Sequence, residues 1–240
     1  MSRRITKPRD RRPRRRPVQL ELRRRGRGGP RPGAGRKPGP VRRTPHRARR
    51  PLASRFAVHV TLRVYESLPD LRGEFLSAQL QDCLREGKER DGFRLVHYCL
   101  LTHHLHLIVE ARDADALTQG IRGLSVRLAR RINTFAGRFG RVFSDRYFAR
   151  ILRTPRETRH CIAYVLLNCR RHAKQHGRTL ISDWIDDCSS GRFFDGWRSG
   201  RPTPPSDEQP TVAAPATWLL STGWRRWGLI RIDQSPGPEP

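Results

Sequence analysis

Apolar and polar residues fall into regular patterns only from about residue 56, and these patterns predict a mixed α and β domain. Residues 56–65 are rich in β-branched and aromatic residues that partly alternate, which predicts a strand. The next apolar residues recur at the spacing of a helix face: Leu71, Phe75, Leu80 and Leu84. Residues 93–101 predict a second strand after the turn signal Asp91-Gly92, and residues 104–111 predict its hairpin partner.

A second helix, a fourth strand and a third helix follow along the chain. The second helix is marked by apolar residues at helical spacing: Ala116, Ile121, Leu124, Leu128, Ile132 and Phe135. Residues 142–152 predict the fourth strand. Thr154 is a suitable N-cap before Pro155, and they predict a helix that runs to about Gln175. The order βαββαβα predicts the α+β class: a ferredoxin-like antiparallel sheet with helices on one face, plus an additional C-terminal helix.

The composition divides the chain into three parts. Residues 1–52 carry 21 Arg and Lys but only two acids, with Pro and Gly between them, so we expect a disordered basic arm. Within it, Arg36 and Lys37 begin a short patch that resembles an AT-hook-like minor-groove element. Residues 53–187 form the predicted domain. Residues 188–240 are a Pro-rich linker and a Trp-rich extension, for which docking on the domain is favoured over stacking on DNA.

The charge of the whole chain indicates its partner. A formal net charge of +28 over 240 residues favours a polyanion, because neutralising phosphates releases condensed counterions. Nucleic acid is the leading candidate and an anionic membrane surface is the rival. The five cysteines form no C-x-x-C pair, and we find neither a secretory signal nor an apolar run of about 18 residues. We therefore expect a soluble protein of a reducing cytosol.

Two histidines interrupt the strand predicted over residues 104–111. His104 and His106 project from the same face of this strand, since residues i and i+2 share a face. Two neutral imidazoles in this arrangement can share one divalent metal ion. The alternative is two hydrogen-bonded histidines on a half-exposed sheet. The pattern alone leaves both interpretations open.

The last predicted helix carries polar residues in one stripe. Tyr164, Asn168, Arg171 and Gln175 follow each other at i, i+4, i+7 and i+11. A tyrosine and an amide one turn apart can face the same point, although a tyrosine at the core boundary beside a capping asparagine would give the same pattern. A zinc site is a third use of this region, with Cys169, His172 and His176 as ligands. It lacks the paired short spacing that zinc fingers use.

Taken together, these motifs resemble the single-tyrosine HUH transposases, particularly the REP-associated tyrosine transposases and their insertion-sequence relatives. The resemblance spans about residues 55–175 in the family's order. Its segments are the strand pair of residues 98–109, the helix of 123–133, the strand of 140–148, and a helix with tyrosine followed four residues later by asparagine, here Tyr164 and Asn168.

The resemblance implies a DNA transposase that cleaves and rejoins single-stranded hairpin DNA through a 5′-phosphotyrosine. Tyr164 would be the catalytic nucleophile, and His104, His106 and Asn168 would hold a divalent metal, Mg²⁺ or Mn²⁺. The partner would be DNA and not a membrane. The protein would be a monomer or homodimer in the bacterial cytoplasm, associated with the nucleoid. The basic residues expected to contact nucleic acid are Arg127, Arg130, Arg131, Arg146, Arg171, Arg36 and Lys37. The alternative is a non-catalytic nucleic-acid-binding protein on the same fold.

Overall fold

The computed structural model describes residues 51–200 and 208–237. Its strands and main helices, in chain order, are β1 (Ala57–Arg63), α1 (Glu74–Gly87), β2 (Glu89–Arg90), β3 (Phe93–Leu100), β4 (His104–Ala111), α2 (Ala114–Phe135), β5 (Phe148–Leu152), α3 (Pro155–Leu166), α4 (Asn168–Gln175) and α5 (Trp218–Ser221). Within the described residues, no helix combines the length and the apolarity that a membrane span requires.

The strands form one antiparallel sheet in the order β2-β3-β4-β1-β5. Without the short β2, this is the βαββαβ arrangement predicted from the sequence, and β4 lies at the centre between β3 and β1. The strand β2 is an addition that the sequence analysis does not contain. It pairs with β3 across Asp91-Gly92, where Gly92 has a φ of 69°, a conformation that favours glycine.

Both faces of the sheet are covered, because successive side chains of a strand point to opposite sides. On β1, Val58, Val60 and Leu62 join the core formed with α1 and α2. Ala57 joins a second core on the other face, formed with α3. His59 and Thr61 alternate in phase with Ala57 and are buried on that same face. The face that carries the histidines is therefore covered by a helix.

The C-terminal residues pack on α3 and complete the second core. Trp197 and Trp224 are each 1 % exposed and belong to this core. The indole of Trp224 donates to the carbonyl of Leu220 at 3.0 Å. The buried carboxylate of Glu110, near the end of β4, accepts from the backbone N–H groups of Ala216 and Thr217. The Trp-rich segment thus docks on the domain.

Two elements are shorter in the structure than the sequence predicts. The fourth strand was predicted over 142–152, but β5 begins only at Phe148. Ser144 instead donates its N–H to Arg63 O, and Asp145 accepts from the Arg146 N–H, so the chain turns before the regular ladder starts. The helix predicted from Thr154 to Gln175 is interrupted at Leu167.

Leu167 has φ −110° and ψ 18°, and the N–H groups of Arg170 and Arg171 both donate to its carbonyl. The guanidinium of Arg170 binds the carbonyls of Ser182 and Trp184, which ties α4 to the following loop.

Residues 1–50 of the predicted basic arm, which include Arg36 and Lys37, lie outside the described residues.

Candidate active site

The two histidines of β4 stand beside the end of β1. In the antiparallel register Thr61 is opposite His106, and Arg63 is opposite His104. The rings of His104 and His106 are 5.0 Å apart between centroids and nearly perpendicular. His106 is 1 % exposed, whereas His104 is only partly buried. His104 is therefore the histidine of this pair that solvent and a ligand can reach.

His106 has a neighbour at each ring nitrogen. Its Nδ1 lies 3.1 Å from Nε2 of His59 and 3.2 Å from Oγ1 of Thr61. Its Nε2 lies 3.4 Å from the hydroxyl oxygen of Tyr164. The result is a buried row of polar groups, from His59 through His106 to Tyr164, that runs from β1 across β4 to α3.

The histidines of this row stay neutral at physiological pH. Burial, with smaller contributions from the neighbouring His59 and His104, lowers the pKa of His106 to about 2. Burial likewise lowers the pKa of His59 to about 4, with a smaller contribution from Arg150, and that of His104 to about 4, with a contribution from Arg63. A neutral imidazole keeps one nitrogen lone pair, so these side chains are available as metal ligands or hydrogen-bond acceptors.

Tyr164 is placed by α3, whose start follows local rules. Thr154 caps the helix by accepting from the Glu157 N–H at 3.2 Å, and Pro155 occupies the first turn. The apolar residues of α3 then pack on the sheet and leave Tyr164 5 % exposed beside His106. The guanidinium carbon of Arg171 lies 5.4 Å from the centre of the Tyr164 ring. Tyr164 is therefore held between the histidines and a cation.

Asn168 is the first residue of α4 and is fully buried. Neither its amide nitrogen nor its amide oxygen has a hydrogen-bond partner among the described residues. It lies four residues after Tyr164 and four before His172, whose ring is 6.5 Å from that of His104. A buried amide without partners is costly. An additional group bound beside this amide would satisfy it.

The donor set suits a hard or borderline divalent ion. Two imidazoles and an amide oxygen are the ligand types that Mn²⁺ accepts readily, and the unpartnered amide of Asn168 fits this use. Within the described part of the chain, no three His, Cys, Asp or Glu side chains gather as a metal site. The zinc alternative, which needs Cys169, His172 and His176 together, is therefore wrong for these residues.

The predicted arginines do not form one surface. Arg171 joins the site over Tyr164. Arg146 is exposed in the segment before β5. The arginines of α2 are exposed on the helix that covers the opposite face of the sheet: Arg127, Arg130 and Arg131. Arg127 also lies 3.9 Å from the carboxylate of Glu86. A nucleic acid that contacts both sets would have to pass around the domain.

The remaining tyrosines lie elsewhere. Tyr98 is buried in the core on the α1 side, its hydroxyl donates to Gln81 at 3.1 Å, and burial raises its pKa. Tyr147 is half-buried before β5, and Tyr65 follows the end of β1. Among the described tyrosines, Tyr164 is the one for which the structure shows a contact with the β4 histidines.

His59 and Thr61 are components of the site that the sequence analysis missed. Both lie within the strand predicted over 56–65, where their positions look like ordinary strand residues. The available signal was a histidine at an inward position of a strand that could pair with residues 104–111. Only the register places its ring against His106.

Comparison with known proteins places most of this site within one family model. Residues 53–165 match the model described as IS200-like transposase, a span that includes His59, His104, His106 and Tyr164 and ends before Asn168. No curated protein sequence matches the chain significantly.

Two solved structures show a weaker likeness. A REP-associated tyrosine transposase bound to a REP hairpin shares 16 % identity, over 72 % of this chain and 100 % of its own, with a TM-score of 0.49. A proposed transposase from Deinococcus radiodurans R1 shares 15 % identity, over 57 % of this chain and 95 % of its own, with a TM-score of 0.34.

Proposed function

Since the chain belongs, through its residues 53–165, to the family of IS200-like transposases, we propose that it cleaves and rejoins single-stranded DNA with Tyr164 as the nucleophile. One observation carries the proposal. The Tyr164 hydroxyl oxygen lies 3.4 Å from Nε2 of His106, in a buried site that also contains His104. A tyrosine so placed has the contacts that covalent catalysis requires.

The reaction exchanges one phosphodiester for another. The Tyr164 oxygen forms a bond to phosphorus, the bond from phosphorus to the 3′-oxygen breaks, and the phenol proton is balanced by the proton that the leaving 3′-oxygen takes up. The products are a 5′-phosphotyrosine and a free 3′-hydroxyl. Rejoining is the reverse step and needs no ATP, because the number and type of phosphate bonds are unchanged. A phenol with a pKa near ~10 requires activation to react at neutral pH.

His106 is oriented so that one of its ring nitrogens faces the Tyr164 hydroxyl. In the tautomer that we propose, Nδ1 carries the hydrogen and donates it towards His59 Nε2, so that Nε2 keeps its lone pair on the side of Tyr164. The separation of 3.4 Å is longer than a strong hydrogen bond, as is common before substrate binds. His59 acts through His106 and is a positioning residue.

His104, His106 through Nε2, and the Asn168 oxygen would hold Mg²⁺ or Mn²⁺, which when bound would supply charge stabilisation at the non-bridging phosphate oxygens. The single Nε2 lone pair of His106 would then be used by the metal, so it would accept from the Tyr164 hydroxyl only while no metal is bound. The fit rests on the side-chain types and on the unpartnered amide of Asn168. Arg171, whose guanidinium lies over the Tyr164 ring, is placed to contact a phosphate bound there. The high positive charge of the chain supports DNA as the partner.

One observation favours a non-catalytic DNA-binding function as the second candidate. Tyr164 is 5 % exposed and His106 is 1 % exposed, so the phosphate has little direct access to either group. A protein that binds DNA without cleaving it would tolerate this burial. Both functions predict DNA binding, and only the first predicts a covalent product.

The test is a denaturing gel of the protein with end-labelled single-stranded DNA that carries a hairpin from the flanks of its gene, in Mn²⁺, Mg²⁺ or chelator. We expect a metal-dependent covalent band that Tyr164→Phe abolishes while folding and DNA binding persist. Tyr147→Phe is the matched control and should keep the band.

The metal ligands should give graded effects in the same assay. His104→Ala should require more Mn²⁺, and Asn168→Ala should have a milder effect because water replaces one neutral oxygen more easily than an imidazole fixed on a strand. A band that survives Tyr164→Phe would move the assignment to another tyrosine. DNA binding by the wild type with no band under any condition would leave the binding-only function.

A further inference from the structure

Arg72 and Asp186 form an ion pair that the proposed reaction does not use. The guanidinium donates to both carboxylate oxygens of Asp186 at 2.9 Å and to the carbonyl of Leu100 at 2.9 Å. The side chain of Asp186 is 1 % exposed. A buried ion pair is stable only where further hydrogen bonds satisfy both groups. Arg72 also lines a cleft together with His104 and Cys169, so the pair lies beside the candidate site.

On one side the ion pair is attached to the sheet. The N–H of Cys188 donates to Asp186 at 3.0 Å, and the carbonyl of Cys188 accepts from the N–H of Leu100, the last residue of β3. The thiol of Cys99 lies 3.8 Å from the other carboxylate oxygen of Asp186. Burial raises the pKa of this thiol, so it stays protonated and can donate. Asp186 is therefore fixed to the end of β3, which a short turn joins to β4.

On the other side the ion pair reaches α4. The thiol of Cys169, the residue after Asn168, interacts with the carboxylate of Asp186. The next residue, Arg170, donates to two carbonyls of residues 182–184, in the loop that leads to Asp186. Both of these side chains of α4 therefore hold the same loop, and Asp186 joins that loop to the sheet.

Asn168 depends on such support because α3 and α4 are not one continuous helix. Leu167, with φ −110° and ψ 18°, separates them, so Tyr164 and Asn168 lie on different helices. The amide of Asn168 has no hydrogen-bond partner of its own among the described residues. The position of this amide is thus determined by the contacts that hold α4.

We propose that Asp186 and Arg72 are positioning residues of the metal site. Through the thiol of Cys169, the ion pair fixes the start of α4, and with it Asn168, relative to the strand that carries His104. This inference rests on the proposed function, in which Asn168 supplies an oxygen ligand. Loss of a residue that orients a ligand typically lowers metal affinity about 10-fold to 100-fold.

The test measures Mn²⁺ binding by the full chain without DNA, from the electron paramagnetic resonance signal of the free ion. Cys169→Ala removes the link to α4 and leaves the ion pair intact, and we expect it to raise the Mn²⁺ dissociation constant about tenfold. Cys169→Ser keeps a donor for Asp186 and should recover most of the affinity. The matched control is Cys83→Ala, a buried thiol on α1 whose loss should leave the dissociation constant unchanged.

The route through Asn168 is tested by combining two variants. In an Asn168→Ala background the oxygen ligand is already absent, so Cys169→Ala should have no further effect on the dissociation constant. A purely structural contribution of the thiol would weaken Mn²⁺ binding equally in both backgrounds. Equal effects would therefore overturn the positioning role.

Asp186→Asn and Arg72→Gln distinguish positioning from a simple effect of charge. Both break the ion pair, so both should weaken Mn²⁺ binding about 10-fold to 100-fold. If the pair acted only through its charges, loss of the carboxylate would weaken binding of the cation and loss of the guanidinium would strengthen it. Opposite effects of the two variants would overturn the proposal. If circular dichroism shows either variant to be unfolded, the Cys169 variants decide the question.

Failure of this inference and failure of the proposed function give different results. A loss of Mn²⁺ affinity in His104→Ala but not in Cys169→Ala overturns the positioning role alone. Mn²⁺ binding that His104→Ala does not weaken overturns the metal site of the proposed function, and the positioning role with it.

Discussion

His59 links β1 to the chemistry proposed for β4 and α3. It is fully buried, its ring stacks on that of His106 with centroids 5.2 Å apart, and its Nε2 lies 3.1 Å from His106 Nδ1. A histidine that ligates a metal or faces a nucleophile is usually oriented by a hydrogen bond at its other nitrogen. His59 occupies that place here. The strand register thus fixes which nitrogen of His106 faces Tyr164.

We therefore expect His59→Phe to lower the rate of covalent-adduct formation and to raise the Mn²⁺ concentration that half-saturates it, by about 10-fold to 100-fold. DNA affinity should stay unchanged, because His59 is not exposed to DNA. His59→Gln, whose amide can take the place of Nε2, should recover part of the rate. The control is His97→Gln, a buried histidine on β3 that lies away from Tyr164. Equal losses in the two histidine variants would indicate a structural role only.

The buried histidines also predict how stability depends on pH. Burial lowers the pKa of His59 and of His97 to about 4, whereas an unfolded chain protonates both near ~6.5. Between these values the unfolded state binds more protons, so stability is complete above about pH 6.5 and is lost as the pH falls towards 4. Urea midpoints measured from pH 4.5 to 7.5 in chelator should show this slope, and His97→Gln should reduce it. A midpoint that does not change over this range would contradict the assignment.

At the scale of elements, α3 is held from two sides. One side packs on the sheet, and the other packs on the C-terminal segment through Trp224 and the turn around it. Arg159 of α3 donates to the carbonyls of Gly228 and Leu229 at 2.7 and 3.0 Å. The Trp-rich segment therefore fixes the position of the helix that carries Tyr164.

Trp224→Ala should consequently lower the free energy of unfolding by about 3–5 kcal/mol, the range for removing a large buried aromatic side chain. Trp227→Ala is the control: this indole is 55 % exposed, and its loss should change stability by about 0.5 kcal/mol or less. Urea denaturation of both variants provides the comparison. Similar losses in the two variants would mean that the segment does not brace α3 as described.

The sequence predicts the order of the elements well, because local patterns determine them. The capped start of α3 at Thr154 and the turn signal Asp91-Gly92 before β3 are both local signals. The break at Leu167 is not visible in the sequence, since it coincides with hydrogen bonds of Arg170 to a loop more than ten residues later. For the same reason His59 was missed: its role depends on a neighbour 47 residues away. Metal ligands and nucleophile could be proposed only through family resemblance.

At the scale of the whole molecule, positive charge is present on several surfaces. Exposed arginines lie on α2, which covers one face of the sheet, and residues 1–50, which lie outside the described range, carry 21 Arg and Lys. We propose that this arm provides sequence-independent affinity. Affinity for long DNA would then be much greater than the domain alone provides.

Deletion of residues 1–47 should therefore flatten the plot of log affinity against log salt, because each lost phosphate contact lowers the slope by about 0.7 to 0.9. The covalent reaction on a short oligonucleotide at low salt should persist, since the deletion leaves the described domain intact. Fluorescence anisotropy at several salt concentrations measures the slope. An unchanged slope would show that the arm does not contact DNA.

If Tyr164 is the nucleophile, it becomes joined to DNA, and locating the nucleotide on the protein tests this directly. Trypsin cleavage after Arg159 and Arg170 releases residues 160–170, a peptide in which Tyr164 is the sole tyrosine, whereas Tyr65, Tyr98 and Tyr147 fall in other peptides. After reaction with single-stranded DNA in Mn²⁺ and nuclease trimming, mass spectrometry should find a nucleotide phosphate on residues 160–170. A nucleotide on the peptide of Tyr147 or another tyrosine, or on none, would contradict the role of Tyr164 as the nucleophile.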